Sequence, residues 1–352
     1  MHPLFDLLSF SQLLLLVLDR GTYIAPCKLT LREWLVIWQE EYLHSVKEST
    51  RDLYNRNIEL YIVPHLGATK LEALTAPMIQ AFYNDLLEPK KADVSPLSPK
   101  TIKNVHGVLH KALQQAVLVG YLRNNPSDAC ILPRIVKKDI PSLDDTQIAA
   151  FLQEIQGQSH EYLYRIALFT GLREGELLGL TWDCIDFERK TLLVKQQLSH
   201  ERKKDGKCYF SPPKNNKSRV LSLAPSVIQL FRLQRLHQNG MRLRAGERWE
   251  EHDLVFSNET GNFLSYRTVY DCFKRRVKKI GLPHVRFHDL RHTYASISIK
   301  NGDDIKTVQE NLGHATAAFT LDVYGHVTAQ MRQASSERME HFITSVSQSS
   351  AL

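Results

Sequence analysis

Apolar positions recur at helical spacing through the first third of the chain. Leu31, Trp34, Leu35, Trp38 and Tyr42 follow the i, i+3, i+4, i+7 pattern of an amphipathic helix. Thr30 and Glu33 stand where a capping box opens such a helix. A second start lies at 49–52, with Leu53, Asn57, Ile58, Tyr61 and Ile62 along one face. Val63 and Pro64 are expected to end it, because a residue before proline is driven out of helical geometry; 65–67 then reads as a turn. Thr75 and Pro77 open a third helix carrying Ile79, Phe82, Tyr83 and Leu86. Ser98 and Pro99 open a fourth, with Ile102, Val105, Leu109, Leu113, Ala116 and Val117 inward and Gly120 at its end. Four such helices predict a small bundle over 29–132.

The pattern lapses over 133–141, a proline-bounded basic stretch that reads as a linker. A second unit, 142–345, opens at Ser142 with Asp145 completing an S-x-x-D cap and Ile148, Phe151, Leu152 and Ile155 inward. A further helix spans 161–169. Strands are predicted over 191–197 and 220–223, with a turn at 203–206 and a loop over 211–219. Helices return at 225–241 and 265–280 and dominate from His288 onward. Residues 346–352 are a polar tail. The predicted class is mainly α with a small β-sheet: a helical bundle followed by a mixed α/β domain.

Charge narrows the partners. The chain has 45 Lys and Arg against 38 Asp and Glu, net +7, which favours a polyanion such as nucleic acid. In the bundle, Arg51, Arg56, Lys100 and Lys103 fit either a solvated face or a phosphate-tracking surface, since phosphate contacts need charge rather than a fixed motif. Lys137 and Lys138 in the linker, and Lys217 and Arg219 in the later loop, join that candidate DNA-binding set. The five cysteines are scattered without a C-x-x-C pair, as in a cytoplasmic protein with reduced thiols. The apolar run at 13–18 is bracketed by Asp6 and Asp19. It lacks a basic leader and a cleavage site and is too short to span a bilayer, so no membrane partner is expected.

Chemistry gathers late in the chain. Arg173 follows a Thr-Gly turn, where a guanidinium can fork onto two phosphate oxygens; taken alone, it reads first as a surface arginine pairing with Glu174 or Glu176. His288 and Arg291 share a helical face. His288 and His292, at i and i+4, also fit a metal pair. That pattern needs a glutamate where Asp289 stands, and a third ligand would have to be His314 or a carboxylate. His314 closes Leu312-Gly313-His314, and Tyr324 follows in an apolar segment.

Taken in order, T-G-L-R-E-G-E-L-L-G-L at 170–180, H-D-L-R-H at 288–292, L-G-H at 312–314 and Tyr324 resemble the signature of the tyrosine recombinases, the phage integrase family. The phrase Leu18-Asp19-Arg20-Gly21-Thr22-Tyr23 ahead of the first helical unit makes the likeness nearest to integrases of bacterial phages and conjugative transposons. It implies a core-binding bundle, a catalytic domain, and a site made of Arg173, Lys214, His288, Arg291, His314 and Tyr324. Arg173 and Arg291 would hold the non-bridging oxygens of a phosphorane-like state, with a hydrogen bond from His314. The Tyr324 hydroxyl, with an ordinary pKa of ~10, would attack with His288 as base, leaving a 3′-phosphotyrosine and a free 5′-hydroxyl. Lys214 is the best match to the lysine that protonates the leaving oxygen, and Lys217 stays open for that task. Glu176 would brace the arginines.

The phosphotyrosine conserves the energy of the broken bond, so neither cofactor nor metal is expected. Implied partners are double-stranded DNA core sites, a homotetramer working through a Holliday junction, and an accessory excision or bending factor. Residues 1–28 are read as a short amphipathic helix or as the remnant of an arm-binding domain. Met339, Phe342 and Ile343 are expected on a terminal helix that docks on a neighbouring subunit or on its own domain. A non-catalytic DNA-binding protein of the same fold, a dimer-resolving recombinase and a topoisomerase-like relaxer are the rival readings.

Overall fold

The computed structural model describes residues 28–90, 94–136, 141–199, 208–213, 216–313 and 316, and, near the C-terminus, 333, 336, 337, 339, 340 and 342–344. The chain divides into two compact units, Met1–Lys137 and Lys138–Leu352.

In the first unit, helix α1 (Leu31–Glu41) starts on the expected capping box. Glu33 N donates to Thr30 Oγ1 at 3.3 Å, and Thr30 N donates to Glu33 Oε2 at 2.7 Å. Leu31, Trp34, Leu35 and Trp38 are buried, whereas Tyr42, past the helix end, is exposed. The enclosed Trp34 indole donates from Nε1 to Ala112 O at 2.9 Å, so it fills the core without an orphaned donor.

Helix α2 (Glu48–Asn57) corrects the expected stop at Pro64. It runs into a π-helical turn, Ile58–Ile62, and then a last helical turn, Val63–Leu66. Val63 N donates to Ile58 O, five residues back. This wider turn sets Pro64 in the opening of a new segment, where a missing N–H costs no α-helical bond. Leu53, expected inward, is exposed, while Asn57, Ile58 and Ile62 are buried.

Helix α3 (Ala76–Leu87) buries Ile79, Phe82, Tyr83 and Leu86. Helix α4 (Pro99–Leu118) buries Ile102, Val105, Leu109, Leu113 and Ala116, with Ser98 Oγ accepting from Thr101 N at 3.1 Å. Gly120, just past its end, takes φ +82°, the left-handed conformation that suits glycine.

The second unit starts with α5 (Asp145–Ile155), and its cap differs from the expected one. Asp144 accepts from Gln147 N at 2.8 Å, and Asp144 N donates to Gln147 Oε1 at 3.1 Å. Asp145 is the first helical residue and pairs with Lys300 at 2.7 Å. Helices α6 (Glu161–Thr170) and α7 (Glu174–Leu178) follow. Strands β1 (Ile185–Asp186), β2 (Thr191–Val194) and β5 (Arg219–Ser222) form an antiparallel sheet in the order β1-β2-β5. Strands β3 (Gln197–Leu198) and β4 (Phe210–Ser211) form a separate antiparallel pair.

The single strand expected over 191–197 is therefore broken. Gln196 Nε2 donates to Gly179 O at 3.0 Å, and a β-carbon on Gly179 would stand 2.4 Å from Leu198 N. The chain bends to lie against that glycine and changes sheets. Helices α8 (Pro225–Ala245), α9 (Tyr266–Lys279), α10 (Asp289–Lys300) and α11 (Ile305–Leu312) complete the described elements. The main core gathers Phe151, Tyr164, Phe231, Phe273 and Leu290; Ala295, Ile299, Val308 and Leu312 form a small apolar cluster of their own. Met339, Phe342 and Ile343 are helical and exposed. Among the described residues, no helix is long and apolar enough to cross a membrane.

Candidate active site

The Thr-Gly-Leu-Arg turn is shaped by Gly171, which ends α6 at φ +64°. A β-carbon there would meet Tyr294 Cδ1 at 2.5 Å and Leu312 Cδ2 at 2.8 Å. Both the backbone angle and the close approach of α10 and α11 therefore call for glycine. Arg173 follows in extended geometry as the N-cap of α7. Its backbone N donates to Glu176 Oε2 at 2.9 Å, and its Nη1 to Glu176 Oε1 at 2.8 Å.

Glu176 also receives the Arg219 fork, Nη1 to Oε1 at 2.9 Å and Nη2 to Oε2 at 2.7 Å. Burial alone would raise this carboxyl. Hydrogen bonds and charge from Arg219, then charge from Arg173, outweigh burial and hold it at about 2. A buried carboxylate is tolerable here because it is fully paired. Its neighbour Glu174 is the opposite case. Burial pushes Glu174 up to about 7, and its Oε1 has no hydrogen-bond partner. It adds only part of a negative charge beside Arg173.

Three arginines meet the C-terminal end of α11. Arg219 Nε donates to Asn311 O at 2.7 Å, Arg291 Nη2 to Leu312 O at 2.5 Å, and Arg173 Nη2 to Gly313 O at 3.3 Å. Carbonyls at a helix C-terminus lack intrahelical partners and carry partial negative charge. Here they orient three guanidiniums drawn from a turn, a strand and a helix. Gly313 at φ +63° ends α11, and Arg219 packs beneath it, with Nη1, Cδ and Cζ at 3.1–3.3 Å from where a β-carbon would be. Arg291 is buried and also donates from Nη1 to Gly171 O at 2.7 Å. Three guanidiniums against the Glu176 carboxylate leave the cluster an excess of positive charge, suited to an anion that becomes more negative as it reacts.

His288 is the N-cap of α10. Its ring lies 4.9 Å from that of His292, edge to face. The residue is exposed overall, yet desolvation of its ring, then the nearness of His292, Arg291 and Arg173, depresses its pKa to about 4. A neutral imidazole can accept a proton. Asp289 is turned elsewhere, with its carboxylate accepting from Arg286 N and Arg286 Nη2, each at 2.7 Å. Among the described residues, no three or more His, Cys, Asp or Glu side chains are grouped to hold a metal ion.

The structure thus brings together Arg173, Glu176, His288 and Arg291. Lys214, His314 and Tyr324 lie outside the described residues, as do Lys137 and Lys138; Gly313 and Pro213 adjoin the first two. Arg56, Lys100, Lys103 and Lys217 are exposed and Arg51 is half-buried.

Arg219 is corrected. Expected on a DNA-facing loop, it begins β5 and commits its guanidinium to Glu176 and Asn311. The signal lay in strand alternation: Arg219 shares the inward face with buried Leu221, while Val220 and Ser222 face out.

Residues 141–331 match the phage integrase family, and residues 30–87 match the phage integrase N-terminal SAM-like domain. The chain is 30% identical to a tyrosine recombinase XerC-like protein of Caldanaerobacter subterraneus subsp. tengcongensis, over 79% of this chain and 72% of the relative. Its fold is similar to that of the Tn1549 transposon integrase solved with a circular intermediate DNA, at TM-score 0.73 and 24% identity, over 88% of this chain and 99% of that one. A lambda integrase tetramer bound to a Holliday junction gives TM-score 0.61 at 21% identity, over 86% of this chain and 80% of that one.

Proposed function

This chain belongs to the phage integrase family, and on that premise we propose how its residues carry out site-specific DNA recombination. It is a tyrosine recombinase. The observation that carries the mechanism is the trio Arg173, Arg219 and Arg291 on the end of α11, with one carboxylate among them.

Arg173 and Arg291 grip the non-bridging oxygens of the scissile phosphate and stabilise the charge that grows as it becomes five-coordinate. Tyr324 Oη attacks phosphorus, and its proton passes to neutral His288. The bond to the 5′-oxygen breaks, and Lys214 supplies the proton that oxygen needs. His314 adds a hydrogen bond to the phosphate. The 3′-phosphotyrosine keeps the energy of the broken linkage, so attack by a 5′-hydroxyl from another strand reverses the step on a new partner.

The DNA is a double-stranded core site of a mobile element, engaged by the first unit through Arg51, Arg56, Lys100 and Lys103, with Lys137, Lys138 and Lys217 adding phosphate contacts. Four copies assemble on two sites, in the manner of the lambda integrase tetramer, with an accessory excision or bending factor setting direction. The setting is the bacterial cytoplasm.

The direct test is a nicked substrate built from the ends of the element that encodes the protein. Wild type should accumulate a covalent adduct whose peptide map ends on Tyr324, and Tyr324→Phe should yield none. An adduct that survives in the phenylalanine variant would overturn the assignment.

A further inference from the structure

The Arg219 side chain joins three parts of the site that the sequence keeps apart. Its Nη1 and Nη2 hold Glu176, the carboxylate that also fixes Arg173. Its Nε holds Asn311 O in the last turn of α11, shortly before His314. Its backbone opens β5, directly after the loop that carries Lys214 and Lys217. The side chain is only 11% exposed, and strand pairing between Val194 and Arg219 fixes its base. A planar guanidinium with three of its donors engaged transmits displacement instead of absorbing it.

We propose that Arg219 is a positioning residue that sets the register between the lysine-bearing loop and the arginine face. Protonation of the leaving oxygen and stabilisation of the phosphorane then act on the same phosphate. The reading rests on the recombinase mechanism above, and it assigns Arg219 no contact with DNA. Lysine at this position would keep the charge but lose the fork. It could not hold both Glu176 oxygens and Asn311 O at once, and the loop would drift relative to Arg173. A misplacement of about 1 Å in such a site costs on the order of 100-fold in rate.

The test compares single-turnover cleavage by wild type, Arg219→Lys, Arg219→Gln, Lys214→Ala and Lys217→Ala on two nicked substrates. One has the natural 5′-oxygen leaving group, and the other has a 5′-bridging sulfur, which departs with little need of a proton. Arg219→Lys and Arg219→Gln should cleave the oxygen substrate on the order of 100-fold more slowly than wild type, with unchanged DNA affinity. The sulfur substrate should recover most of that loss. The ratio of the two rates on one preparation cancels the folded fraction, so a destabilised variant still reports.

Equal losses on both substrates, no loss on either, or a loss confined to DNA affinity would overturn the proposal. Failure of wild type to form any adduct would overturn the recombinase mechanism itself, and the proposal with it. Sulfur rescue of Lys217→Ala in place of Lys214→Ala would move the acid within the loop and leave the role of Arg219 standing.

Discussion

Arg291 donates from Nη1 to the carbonyl of Gly171 at 2.7 Å, so the second arginine of the site is anchored on the turn that delivers the first. The two guanidiniums proposed to grip the phosphate are thereby linked in position. Gly171 is the joint, because a β-carbon there meets Tyr294 and Leu312 below 3 Å at a backbone angle of +64°. Gly171→Ala should destabilise the protein by about 1–3 kcal/mol through overpacking and strain. It should also slow single-turnover cleavage more than it weakens DNA binding. Urea unfolding and cleavage at saturating protein check the two parts; a variant as stable and as fast as wild type would contradict the linkage.

Glu176→Gln should cost about 3–5 kcal/mol, the usual penalty for breaking a buried ion pair from one side. Its pH signature is specific. The folded carboxyl sits at about 2, below the ordinary 4.5, so its contribution to stability is present above pH 4.5 and lost as pH falls through about 2. Unfolding free energy measured between pH 6 and pH 3 should therefore fall more steeply for wild type than for the glutamine variant. Parallel curves would show that Glu176 is not held ionised.

His288 should titrate at about 4 in the free protein rather than at its ordinary 6.5. The sign is that of a histidine kept neutral by folding. Stability linked to it is complete above pH 6.5 and is lost as pH falls from there toward about 4, where the unfolded chain binds the proton first. Proton NMR of the imidazole, assigned by comparison with His288→Gln, gives the midpoint directly. A midpoint near 6.5 would leave the ring partly charged at working pH and count against its proposed role as base.

Lys100→Ala and Lys103→Ala should each lower the slope of log affinity against log salt by about 1, uniformly across DNA sequences. Both side chains are exposed and form no ion pair among the described residues. Gel-shift titrations at several salt concentrations measure this; an unchanged slope would remove them from the phosphate-contacting surface.

Much of the fold could be read from periodicity, because α3 and α4 each bury one continuous apolar face and carry a proline in the first turn, and Gly120 follows the end of α4. Pro64 was misleading for a local reason. The rule against proline assumes α-helical bonding, and the π-turn Ile58–Ile62 changes the bonding just before it. The cap at α5 slipped because Ser142 and Asp144 are both good caps and only the backbone path chooses between them.

In the site, Arg173, His288 and Arg291 were legible as types at their spacing. Charge and basic neighbours alone place Arg219 with the phosphate-contacting residues. Its partner Glu176 lies 43 residues away, and charge composition does not encode that pairing.

The small apolar cluster under α11 has a thermodynamic consequence. Ala295, Ile299, Val308 and Leu312 stand apart from the main core of the second unit, yet the carbonyls at the end of α11 orient all three arginines. Opening that one eight-residue helix would take one anchor from each guanidinium, leaving those on Glu176 and Gly171, while the main core stayed closed. Competence for chemistry is then expected to have its own, smaller free energy of disruption. Amide hydrogen exchange should show α11 exchanging through a local event well before α6 or α9. Activity is then expected to be lost by the fraying of one short helix and regained on its reseating, without passage through the unfolded state.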